Sequence, residues 1–292
     1  MGLRIACGAS FLRAIKRARS VELTASLLPR GKGGVFAALE TAAQRGARVR
    51  VRLESDPYDP GGSGEMERAN AAAVTELQRN GIDAALVQSE PAAPLHLKAA
   101  IVDGRLFLDD RNWLADGRDA IASTRDCADV IAVRKAMRGN RGKPAQVAVR
   151  KREALAMEAD MIARAGGGGI AAQSESFGSG VVARALLEAT RAGEPVRLLV
   201  SSRDVHGARE ARVLASLSVA GAQVRVVSEG YSEKLCVAGD CAWVGSANAT
   251  AGFPDTIDWG ARTRAPSAVN TLRARFERNW QAARPLRRMP LP

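Results

Sequence analysis

Two stretches of this chain match without a gap. Residues 33–55, GGVFAALETAAQRGARVRVRLES, align with residues 180–202, GVVARALLEATRAGEPVRLLVSS, at a shift of 147 that carries Gly46 onto Gly193. A repeat constrains a fold strongly, because each copy has to build the same supersecondary unit. In the first copy Phe36, Leu39 and Ala43 recur at helical spacing. Val49, Val51 and Leu53 then alternate with arginine, as on a half-buried strand. A second helix–strand pair follows in each copy, over residues 65–87 and 208–227. A hairpin-like pair of strands closes each copy: HLKAAIVDGRLFLDDRNW at 96–113 and SEKLCVAGDCAWVGSANA at 232–249, now at a shift of 136 (Lys98 onto Lys234). Helices alternating with strands predict layered α/β architecture. Two copies predict two lobes related by a pseudo-two-fold axis, residues 1–150 and 151–292. The boundary is expected within residues 134–169, which hold a basic run and the glycines at 166–169.

The 292 residues carry a formal charge of +12, so a polyanion is the expected partner, whether nucleic acid or an anionic membrane surface. Aromatic residues are only 4%, too few to supply stacking platforms for single-stranded bases. No stretch approaches the roughly 20 apolar residues of a membrane span, and residues 1–20 do not read as a signal peptide. Four cysteines are too few for a disulfide framework. Cys236 and Cys241 flank a turn at Gly239-Asp240 and read as small core residues on adjacent strands. A cytoplasmic protein, peripheral to a membrane, is expected.

The chemistry-bearing residues concentrate in the hairpins. The first of two histidines, His96, stands two residues before Lys98; Asp103-Gly104 and Asn112 follow. Residues i and i+2 of a strand share a face, and a turn at Asp103-Gly104 returns the chain toward Asn112. Imidazole, ammonium and amide then converge, a set suited to a phosphodiester. Imidazole is a nucleophile at neutral pH, and lysine and asparagine stabilise charge building on the phosphate oxygens. No cofactor is expected, and no metal-ligand cluster is evident.

The His-x-Lys-x4-Asp spacing, with Gly245-Ser246-x-Asn248 in the second copy, resembles the phospholipase D superfamily. That resemblance implies a duplicated phospholipase D-like fold of two α/β/α lobes with mixed sheets. It implies metal-independent phosphodiesterase or phosphatidyltransferase activity through a phosphohistidine. By the same resemblance His96 is the nucleophile, with Lys98 and Lys234 beside it. Asp103 orients the histidine, and Asn112, Ser246 and Asn248 bind the phosphate. His96, Lys98, Asn112, Lys234 and Asn248 are expected to cluster at the cleft between the lobes, in a monomer or a homodimer.

The second motif departs from the pattern: Ser232 stands where its histidine would be, Gly239 where its aspartate would be, and Asp109-Asp110 replace the first copy's Gly-Ser. His206, Ser232 and Glu175 are therefore auxiliary candidates at the site, although the Ser232 hydroxyl is too weak an acid to replace the missing one. A phospholipid is the expected substrate. The alternatives are a decayed site that binds polyanions and a nuclease of the same superfamily.

Overall fold

A computed structural model describes residues 3–31, 34–57, 62–114, 120–139, 146–202, 207–227 and 233–286. The chain divides into two compact units. The first is Met1–Arg150 together with Asp255–Trp259; the second is Lys151–Pro254 with Gly260–Pro292.

In the first unit the order is β1 (Arg4–Ala6), α1 (Gly8–Arg17), β2 (Ser20–Ala25), α2 (Val35–Gln44), β3 (Arg48–Glu54), α3 (Glu65–Arg79), β4 (Asp83–Val87), β5 (Ala99–Val102), β6 (Arg105–Leu108), β7 (Ile121–Thr124), α4 (Cys127–Ala136) and the short β8 (Val147–Ala148). The sheet runs β1-β7-β6-β5-β2-β3-β4. β2, β3 and β4 are parallel, and β5 joins β2 antiparallel, so the sheet is mixed. One stripe of α2, made of Val35, Phe36, Ala38, Leu39 and Ala42, is buried. It joins Val21 and Leu23 of β2 and Val49, Val51 and Leu53 of β3 in one core cluster. Fully burying a side chain of this size contributes about 1.5–3 kcal/mol. The arginines between them, Arg48 and Arg50, stay exposed, as the alternation requires.

The second unit repeats the plan: α5 (Lys151–Ala163), β9 (Ile170–Ser174), α6 (Val181–Arg191), β10 (Val196–Ser201), α7 (Ala208–Ala220), β11 (Gln223–Val227), β12 (Leu235–Ala238), β13 (Cys241–Gly245), β14 (Gly260–Thr263), α8 (Pro266–Ala282) and β15 (Arg284–Pro285). Its sheet contains the run β11-β10-β9-β12-β13-β14, which matches β4-β3-β2-β5-β6-β7 strand for strand. The repeat therefore extends beyond the matched stretches, to the central strands β2 and β9 and to the β7–α4 and β14–α8 pairs. Cys236 and Cys241 lie buried on the adjacent strands β12 and β13, and all four cysteines are free thiols. The stretch 134–169 is helical over much of its length: it takes the end of α4 and all of α5.

Candidate functional site

The parallel strands of each sheet end where the partner hairpin begins. Thr24, near the end of β2, pairs with Ala99, the first residue of β5. Loops at the carboxyl ends of parallel strands are where α/β sheets place ligands, and His96 and Lys98 enter β5 there. Lys98 is 1% exposed. Its carbonyl accepts from the Asp109 amide at 3.0 Å, which zips the hairpin one step past β5 and β6. Asn112 lies three residues further on, so Lys98 and Asn112 stand at the same end of one hairpin. The Asn112 Oδ1 is buried and has no hydrogen-bond partner among the described residues. A buried carbonyl oxygen left unpaired costs about 1–3 kcal/mol. Its neighbour Trp113 stacks on Phe11 with ring centroids 4.7 Å apart, and its amide donates to Asp109 Oδ2 at 2.7 Å. Asp110 Oδ1 accepts from the Ala120 amide at 2.8 Å. The two aspartates that replace Gly-Ser thus tie down the loop backbone.

The approach to His96 is held just as firmly. Glu54, at the end of β3 and 1% exposed, accepts from the Leu95 amide at 3.1 Å. The His96 amide donates to the Ile257 carbonyl at 3.0 Å, and the Ile257 amide to the Pro94 carbonyl at 2.9 Å. This short bridge brings in the excursion Asp255–Trp259. With it comes Asp258, 3% exposed at its side chain, whose Oδ1 lies 2.8 Å from His96 Nδ1. Trp259, fully buried, donates from Nε1 to the Asp109 carbonyl at 2.8 Å and fixes the excursion.

Asp258, and not Asp103, is the carboxylate found against His96. Asp103 lies seven residues beyond His96, at the far end of β5, roughly 20 Å away along an extended chain. Its Oδ1 accepts from the Ser20 amide at 2.9 Å and the Arg19 amide at 3.0 Å. Asp103 and Gly104 both have positive φ (46° and 75°), the geometry of a two-residue hairpin turn in which Asp-Gly is favoured. Asp103 fastens the turn of the hairpin, and the carboxylate in contact with the histidine is Asp258.

The second unit explains how an aspartate at that turn can be absent. Strand register makes Gly239 the counterpart of Asp103 and Gly168 the counterpart of Arg19. A Cβ on Gly168 would lie 2.6 Å from the Gly239 Cα. Two glycine backbones in direct contact fill the place that a carboxylate cap fills in the first unit. The glycines at 166–169 therefore lock a turn.

At the other end of this hairpin Lys234, 2% exposed at its side chain, bonds Glu175 Oε2 at 2.7 Å. Glu175, considered as an acid, is thus the lysine's counter-ion; its counterpart in the first unit is Ser26. Asn248 Oδ1 accepts from the Ser176 amide at 3.2 Å, and Ser174 Oγ accepts from the Ala249 amide at 3.1 Å. Ser246 is fully buried. His206 and Ser232 lie outside the described residues. Asp258 was missed because nothing local to the hairpin points to it: it lies 162 residues from His96 in sequence. Its one signal is an acid, three residues after Asp255 and ten after Asn248, in a stretch with no helical or strand periodicity.

No protein-family model matches the chain, and no curated protein resembles it in sequence. Solved structures do match. A phospholipase D family member, Nuc from Salmonella typhimurium, is 19% identical over 49% of this chain and 98% of its own, with a TM-score of 0.44. Phosphatidylserine synthase from Haemophilus influenzae Rd KW20 matches 98% of this chain and 87% of its own, with a TM-score of 0.70 at 8% identity. The chain has the duplicated phospholipase D fold. Polyphosphate kinase from Porphyromonas gingivalis shares it, with a TM-score of 0.66 and 16% identity over 96% of this chain. This chain spans about half of that kinase, 47% of its length. At such identities the phospholipase D likeness is one of fold, and the α/β class expected from the repeat and the mixed sheets implied by the resemblance are those observed.

Proposed function

We propose that this chain is a phosphoryl-transfer enzyme, a phosphodiesterase or phosphatidyltransferase, in which His96 is the nucleophile. The observation that carries the reading is the 2.8 Å contact between His96 Nδ1 and the buried Asp258 carboxylate. A carboxylate there accepts a proton from Nδ1, so the neutral ring keeps its lone pair on Nε2. Nε2 attacks phosphorus and the alkoxide or phenoxide leaves, carrying away the P–O electron pair. Water or an alcohol then displaces the histidine. Lys98 and Asn112 stabilise the charge that builds on the non-bridging oxygens; Lys234, Ser246 and Asn248 are the corresponding phosphate-binding candidates of the second unit. The likeness to a phosphatidylserine synthase over 98% of the chain, with the scarcity of aromatics, favours a phospholipid over nucleic acid. No helix among the described residues is long and apolar enough to cross a membrane. Access to lipid would then come from the surface, through the +12 charge, at anionic headgroups.

A second reading, binding of polyanions without turnover, is favoured by two observations. Serine stands in place of the second histidine, and Glu175 already neutralises Lys234. One experiment separates the two readings: headgroup release from mixed anionic phospholipid vesicles in the presence of EDTA. A histidine nucleophile predicts release that survives the chelator and is lost in His96→Ala. Vesicle binding without release supports the second reading. Release abolished by EDTA and restored by a divalent ion would overturn the mechanism.

A further inference from the structure

The two units finish the same face of their sheets differently. In the second unit α8 runs for 17 residues. Its rings Phe276 and Trp280 lie 5.1 and 5.4 Å from the Arg197 guanidinium of β10, and Glu277 takes the same guanidinium at 2.6 and 2.9 Å. Asn279 bonds Gln173 at 3.0 Å. In the first unit the equivalent helix α4 has 10 residues and ends at Ala136. Strand register makes Arg50 the counterpart of Arg197, and Thr24 the counterpart of Gln173.

Beside Arg50 and Thr24 stands a cavity of about 350 Å³, lined by Glu22, Thr24, Arg50, Arg52, Val87 and Arg138 among others. Arg50 and Arg52 both bond Asp83, at 2.8 and 2.9 Å; Arg134 and Arg138 both reach Glu22, at 3.2 and 3.8 Å. Four guanidiniums thus share two carboxylates, leaving an excess of two positive charges. Arg50 engages Asp83 through Nε, and its two terminal nitrogens have no partner among the described residues. The Thr24 hydroxyl is fully buried and has no partner among them either. By strand alternation Glu22, Thr24, Arg50 and Arg52 lie on the face opposite Leu23, Val51 and Ala100. Lys98 falls, by the same alternation, on the side of Ala100. The cavity is therefore distinct from the His96 site.

We propose that this cavity is a second anion site, which takes a small phosphate-bearing ligand. The guanidinium fork matches phosphate oxygens in pairs, a dianion balances the charge excess, and the volume is that of a small-molecule pocket. Calorimetry of the whole chain with inorganic pyrophosphate and with adenosine monophosphate tests it; the tighter probe tells whether the ligand is inorganic or an organic phosphate. Arg50→Ala and Arg52→Ala are expected to weaken the better probe at least about tenfold, and Arg50→Lys less. Arg197→Ala, the same position in the second unit, is expected to leave binding unchanged. Should a variant prove poorly folded, line broadening confined to the Arg50 and Arg52 side-chain resonances of the intact chain on adding the probe supports the site equally. Affinity that is the same in the intact chain and in the folded Arg50 and Arg52 variants would overturn the proposal, as would the absence of any binding by either probe.

Discussion

His96→Ala is expected to lower turnover of bis(p-nitrophenyl) phosphate by about 10⁴-fold or more, and Asp258→Asn by about 10²–10⁴-fold. On the proposed mechanism the first variant removes the atom that attacks phosphorus. The second keeps the shape of the side chain and removes its charge. An amide offers its oxygen as well as its nitrogen to Nδ1, so the tautomer with a lone pair on Nε2 is no longer enforced, and the cation formed in the transition state loses its partner. Both residues lie in the first unit, joined at 2.8 Å. Asp103→Ala is the matched control. It removes a carboxylate that accepts from the Arg19 and Ser20 amides, so it should destabilise the fold by about 1–3 kcal/mol and leave kcat in place. Comparable losses of kcat in the Asp103 and Asp258 variants, with both folded, would contradict the assignment of Asp258.

Stability is expected to fall as pH rises from about 5 to 8, through a group that takes no part in catalysis. Glu158, on α5, is 3% exposed, and burial alone pushes its carboxyl from 4.5 up to about 8. The folded chain therefore holds a proton that the unfolded chain releases near 4.5. Between 4.5 and about 8 the native state binds more protons, so unfolding free energy drops with pH and levels off above the folded value. At about 1.4 kcal/mol per pH unit over that interval, the contribution is about 5 kcal/mol, a large part of the 5–15 kcal/mol typical of a domain. The buried Cys236 thiol feels the same carboxylate, which helps to keep it protonated after burial has raised it further. Glu158→Gln should remove the slope, because a neutral amide needs no proton. Urea unfolding at pH 5, 6, 7, 8 and 9 checks this; parallel profiles for the two proteins would contradict it.

Much of this fold was legible because its signals are local. The stripe on α2 and the alternation on β3 each lie within one element, and the same pattern returns 147 residues later on α6 and β10. The hairpins β5–β6 and β12–β13 align residue for residue, so Lys98 and Lys234 occupy equivalent places. Other features depend on contacts that no window contains. Asp258 reaches His96 because a five-residue excursion within the second half of the chain belongs to the first unit. Asp103 carries the family's spacing, yet a β5 strand only four residues long, pointing away from the histidine, takes it to the opposite end of the hairpin. Gly239 looked like decay, whereas a carboxylate cap and a glycine–glycine contact are two ways of closing one turn. The difference between α4 and α8 was also hidden. Helix length depends on what a face must cover, and the two copies cover it differently.

If His96 forms a covalent bond to phosphorus, mass spectrometry of the chain quenched during turnover of bis(p-nitrophenyl) phosphate detects it. Attack by Nε2 expels one nitrophenolate and leaves a nitrophenyl-phosphoryl group on the ring, which water later removes. That adduct is expected on the peptide containing His96, labile to acid, absent in His96→Ala and reduced in Asp258→Asn. Turnover with no adduct at any quench time, or an adduct on another residue that persists in His96→Ala, would contradict the mechanism.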